Sequence, residues 1–84
     1  GQIMLTNKTP KLDLHGEIVS MVYPLVYEFI MDNDKQGNKE LLIIHGKSTN
    51  ILTREVHSIL KEIKVVKSLK IDNWNTGETI VYLK

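Results

Sequence analysis

Three histidines are the only side chains in this 84-residue chain that ordinarily change charge near neutral pH, and two of them, His15 and His45, each stand directly before a glycine. The chain has no cysteine, so thiolate nucleophiles, disulfides and cysteine-bound zinc are excluded. Imidazole, carboxylate, hydroxyl and ammonium groups are left to do any chemistry. Of two imidazoles brought side by side, one can accept a proton while the other donates one. Asp13, two residues before His15, is placed to orient a ring. Lys47, two residues after His45, can offset negative charge building on phosphorus. Ser48 and the Thr49-Asn50 pair follow it and lead towards a helix start, where free N–H groups favour an anion. A third turn, Thr76-Gly77-Glu78-Thr79, adds hydroxyls, and Gly16, Gly46 and Gly77 lack the Cβ that would hold a ligand away from the backbone. Together these residues predict a phosphate-handling site that needs no cofactor. His15, His45 and Asp13 have the right types for metal ligation, but they come from scattered strands without compact ligand spacing, so a metal is not expected.

The remaining candidates have more ordinary explanations. His57 stands among Arg54, Glu55, Ser58 and Lys61 and reads as a boundary histidine of a helix. Trp74, between Asn73 and Asn75, can stack on a splayed base. Packing against the domain is its default expectation. Lys61, Lys64, Lys67 and Lys70 form a basic run that is expected to be a solvated face before it is a nucleic-acid surface, because the net charge is only +1.

These residues need a scaffold, and the chain is long enough for one domain with a sheet and a single helical layer. Its 42% apolar and 25% charged content match a folded domain, and its longest apolar runs fall well short of a membrane span. A cytosolic setting is expected from the missing cysteines and signal pattern. Residues 1–10, with Asn7 to Pro10 turn-like, read as a tail or linker. Alternation predicts strand one over Lys11 to His15. Val22, Leu25, Val26, Phe29 and Ile30 recur at helical spacing, predicting a helix from near Ser20 to about Asp32 with Pro24 in its first turn. Glu40 to Ile44, apolar on both faces, reads as a central strand. Leu52, Val56, Ile59, Leu60 and Ile63 mark a second helix capped by Thr49 or Asn50. Val65 to Asp72 and Thr79 to Leu83 read as a closing hairpin.

The resulting fold is α/β: a two-layer β-α-β-α-β-β sandwich with strand order one, two, four, three, strand four antiparallel and both helices on one face. Helical crossovers between parallel strands bring the residues just past each strand to one rim, and adjacent strands lie only ~4.8 Å apart. His15-Gly16, His45-Gly46 and the Thr76 to Thr79 turn should therefore converge.

Leu12-Asp13-Leu14-His15-Gly16, Ile43-Ile44-His45-Gly46-Lys47 and Thr76-Gly77-Glu78-Thr79-Ile80-Val81-Tyr82-Leu83 resemble, in order and spacing over residues 11–84, the three signature blocks of the Smr (small MutS-related) domain family. That resemblance implies a fold like the C-terminal domain of translation initiation factor three. It also implies work on DNA or RNA, since the family includes DNA-nicking and RNA-cleaving endonucleases. Some members end a larger MutS-like ATPase, and some act on stalled or collided ribosomes. Carried over by motif, the site would comprise Asp13, His15, Gly16, His45, Gly46, Lys47, Gly77 and Thr79. Two positions depart from the pattern: Ser48 stands where the family usually has glycine, and Met21-Val22 where it has a Glu-Ala pair. Two functions follow as expectations. The first is an endonuclease in which His15 and His45 share acid/base work. The alternative is a non-catalytic module docking on nucleic acid or a ribosome.

Overall fold

The computed structural model describes residues 9–47, 50–72 and 74–84. Ser48, Thr49, Asn73 and residues 1–8 lie outside the described residues, and with them the expected Ser48 phosphate contact, the Thr49 cap and most of the expected tail. Six elements follow the expected order: β1 (Lys11–Asp13), α1 (Val19–Gln36), β2 (Glu40–Ile44), α2 (Ile51–Glu62), β3 (Val66–Ile71) and β4 (Glu78–Leu83). The sheet runs β1-β2-β4-β3, with β1 parallel to β2 and β4 antiparallel to both β2 and β3.

The core follows from the two periodicities. Val22, Val26 and Ile30 of α1 and Val56, Ile59 and Leu60 of α2 are buried against Leu41, Ile43, Val81 and Leu83 of the two central strands. Leu42 is buried as well, on the opposite face, beside its register partner Ile80. That explains why the β2 sequence is apolar without alternation.

Helix α1 starts where expected, near Ser20, but differs from its sequence expectation in the place of Pro24 and at its far end. Pro24 is its sixth residue, beyond the first turn. The intrahelical bond it cannot make falls on the carbonyl of Ser20, an exposed residue where water can substitute. At the other end the helix continues four residues past Asp32, because Asn33 faces inward and gives its side-chain N–H to the Phe29 carbonyl at 2.9 Å. Gly37 ends it with φ 80°, and the N–H groups of Gly37 and Asn38 return to Asp34 and Asn33. Strand β1 is two residues shorter than expected because His15 and Gly16 form a turn. Asn50 does precede α2, but its side chain makes no capping hydrogen bond. Among the described residues no helix is long and apolar enough to cross a membrane.

Candidate functional site

Three sequence-distant turns meet at the carboxyl-terminal rim of β1 and β2. The Leu14 N–H bonds to the Ile44 carbonyl at 2.7 Å, prolonging the β1–β2 ladder one residue and delivering His15 beside the end of β2. At that end the N–H groups of His45 and Gly46 both donate to the Gly77 carbonyl, at 2.9 and 3.0 Å. Gly77 in turn is held by the Asn75 side-chain oxygen at 3.0 Å. A methyl placed on Gly46 would sit 3.6 Å from His15 Cβ, and one on Gly77 would sit 3.1 Å from Lys47 Cγ and 3.2 Å from the Gly46 carbonyl carbon. The space beside Gly77 is thus already taken by the Lys47 turn. Gly46 is needed for another reason, since its φ of +88° disfavours any residue with a side chain.

The two His-Gly motifs end up in opposite environments. His15 is solvent-facing, with its side chain 71% exposed, and its Nδ1 lies 2.6 Å from the Asp13 carboxylate. The same carboxylate oxygen accepts the His15 backbone N–H at 3.1 Å. This local double contact locks the ring with Nδ1 inward and leaves Nε2 as the nitrogen available to a ligand. It also couples two titrations. The side-chain hydrogen bond to His15 holds Asp13 below its ordinary 3.8, and the bond to Asp13 holds His15 above its ordinary 6.5. The ion pair is therefore complete between those two limits. It is lost as pH falls through the lowered carboxylate value and as pH rises through the raised imidazole value. In Asp13→Asn the His15 titration, followed by proton NMR of the ring, moves down towards 6.5. An unmoved titration would show that the carboxylate does not govern the ring.

His45, by contrast, is 3% exposed and faces inward between β2, β4 and α2. Its Nε2 lies 2.8 Å from the Thr79 hydroxyl, and its Nδ1 lies 2.8 Å from the Thr53 hydroxyl and 3.1 Å from the Gly46 carbonyl. Both ring nitrogens are thus engaged within the protein. The expected pair of rim imidazoles resolves into one exposed ring and one buried ring that braces the Gly46 turn.

Thr53 was not singled out by the sequence, and His57, half-buried as a boundary histidine should be, has an inward contact that its reading did not include. Thr53 and His57 lie four residues apart on α2 and so share its inward stripe with Val56 and Leu60. His57 Nε2 reaches the Thr79 hydroxyl at 2.8 Å, and its ring meets that of His45 edge-on at 6.1 Å between centroids. Burial, then the neighbouring His45 and Lys61, pushes the His57 titration down. The available signal was the i, i+4 spacing, hidden by the polar neighbours of His57 on the outer face.

Lys47 is exposed at the turn. Gly16, in the turn after His15, has φ +79° and open space where a Cβ would stand. Trp74 is 96% exposed, which overturns the expectation that it packs on the domain: its backbone is fixed by a 2.9 Å bond to Asp72, and its ring projects into solvent. The four lysines of the basic run are exposed. Among the described residues no group of three His, Asp or Glu is arranged to hold a metal ion.

Known proteins share this fold. The Smr domain model matches residues 12–84. The endonuclease MutS2 of Solidesulfovibrio magneticus is 36% identical over 76 residues, covering 87% of this chain and 10% of that protein. The chain therefore spans about a tenth of the length of such relatives. The crystal structure of the Smr domain of Thermus thermophilus MutS2 superimposes with a TM-score of 0.86 at 25% identity, over 90% of this chain and 99% of that one. YdaL, a stand-alone small MutS-related protein from Escherichia coli, superimposes with a TM-score of 0.79 at 26% identity, over 93% and 69% of the respective chains. With a matching profile over nearly its whole length and its three motif blocks joined at one rim of this fold, the chain belongs to the Smr domain family.

Proposed function

We propose that this domain cleaves phosphodiester bonds of DNA or RNA, with His15 as the proton-transfer group, Asp13 orienting it and Lys47 holding the phosphate. The observation that carries this function is the exposed His15–Asp13 pair, standing against the Gly46 turn that presents Lys47. With Nδ1 committed to Asp13, the Nε2 of the protonated ring is free to give its proton to the leaving oxygen while a water molecule attacks phosphorus and releases a proton to solvent. The hydrogen bond to Asp13 raises the titration of His15, so more of the rings carry that proton at a given pH than in a free imidazole. Lys47 offsets the charge on the phosphoryl oxygens. The name endonuclease carried by the MutS2 relatives supports the same reaction class. His45 acts in this scheme from behind, holding the turn.

Incubation with supercoiled plasmid and, separately, with structured RNA tests the proposal and distinguishes the two substrates. Product from either that disappears in His15→Ala supports it. Cleavage unchanged in that variant would remove the mechanism.

The exposed Trp74 favours a binding contribution that does not depend on turnover. Base stacking on such a ring is worth ~1–3 kcal/mol, so Trp74→Ala is expected to weaken single-stranded oligonucleotide binding by about fivefold or more. Fluorescence anisotropy checks this, and equal affinities would place the ring outside the interface. A module that only docks on nucleic acid or a ribosome would show this loss with no product from the wild type.

A further inference from the structure

The cluster of His45, His57, Thr53 and Thr79, buried at His45 and Thr79 and half-buried at His57 and Thr53, contains more hydrogen-bonding atoms than protons, and counting those protons gives it a direction. The Gly46 carbonyl can only accept, so His45 Nδ1, 3.1 Å away, carries a hydrogen, which Thr53 Oγ1 at 2.8 Å can share. In the neutral ring Nε2 is then bare and must accept the hydrogen of the Thr79 hydroxyl, 2.8 Å away. That hydroxyl has one hydrogen. Having given it to His45, its oxygen can only accept from the second imidazole, so His57 Nε2, also at 2.8 Å, is the donor. The chain of bonds runs from His57 through Thr79 to His45 and ends on the backbone of the rim turn.

We propose that His57 is a positioning residue: by donating to Thr79 it selects the Nδ1–H tautomer of His45, whose N–H then fixes the Gly46 carbonyl and with it the Gly46–Lys47 peptide. Because a trans peptide is planar with its C=O and N–H opposed, holding that carbonyl towards His45 aims the Lys47 backbone N–H away from it. If His57 is removed, the Thr79 hydroxyl can turn, His45 can adopt either tautomer, and the peptide loses its brace. Only the description of this turn as phosphate-facing rests on the proposed function. The network itself does not.

Long-range proton–nitrogen NMR of the histidine rings reads the tautomers directly. In the wild-type chain His45 is expected as the Nδ1–H form. In His57→Ala the two forms mix, the ratio of Nδ1–H to Nε2–H falling by about fivefold or more, the effect of losing one ordinary hydrogen bond. His57→Gln, which can donate an N–H from a similar reach, restores the ratio. Finding His45 as the Nε2–H form in the wild type overturns the proposal without recourse to any variant. So does a tautomer ratio unmoved in His57→Ala. These readouts need no substrate, so wild-type protein that fails to cleave would count against the nuclease proposal and leave this one standing.

Discussion

His15→Ala is expected to lower phosphodiester cleavage by about 10²–10⁴-fold, the usual contribution of a positioned general acid or base, while the domain unfolds at the wild-type denaturant concentration. The two halves of this expectation have separate structural reasons. His15 touches Asp13 two residues away and otherwise faces solvent, so removing it breaks an exposed pair of the kind that contributes little to stability. The leaving oxygen of the proposed reaction, however, loses a proton donor of raised affinity at this rim. Measuring single-turnover cleavage alongside urea unfolding separates the two. A large fall in stability would mean that His15 is a structural residue, and an unchanged rate would assign the chemistry elsewhere.

Thr79→Val should do the reverse, destabilising the domain by ~1–3 kcal/mol through the loss of a single hydroxyl. Valine has nearly the shape of threonine, so the cost comes from hydrogen bonding and not from a cavity. Thr79 is fully buried, and its hydroxyl serves two imidazoles at once. His57 is only partly buried and can turn to water. His45 is nearly inaccessible, and its Nε2 would be left without a partner. The urea midpoint should fall with an unchanged slope, and Thr79→Ser should recover most of the loss. A valine variant as stable as the wild type would show that the hydroxyl contributes shape alone. The largest activity effect is thus expected at an exposed residue and the largest stability effect at a buried one, although both belong to family motifs.

Much of this molecule was legible in its sequence because strand and helix periodicities are local. Leu41 to Ile44 carried no alternation, which is the signature of a strand covered on both faces, and right-handed crossovers with a closing hairpin left one plausible strand order. The convergence of His15, His45 and Gly77 followed from that order. The end of α1 was less legible. The polar residues after Asp32 read as the close of the helix, but the buried site that Asn33 occupies gives its amide a backbone partner and the helix continues to Gln36.

The exposure of Trp74 could not be read from its neighbours either, since an aromatic side chain between two asparagines fits a packed loop as well as a projecting one.

The sequence by itself determined the elements, their order and the rim on which the motifs meet, because each depends on the spacing of residue types along the chain. Only the tertiary structure decided that His15 faces solvent beside its own Asp13, whereas His45 turns inward to Thr79, Thr53 and, through Thr79, His57. The two His-Gly pairs are identical in themselves, and although an alternating strand precedes His15 and a strand apolar on both faces precedes His45, neither pattern says what packs above the ring that follows. The direction of each ring is set by what is packed above it: α2 covers the end of β2 and supplies hydroxyl and imidazole partners, while the end of β1, at the sheet edge, offers among the described residues its own carboxylate.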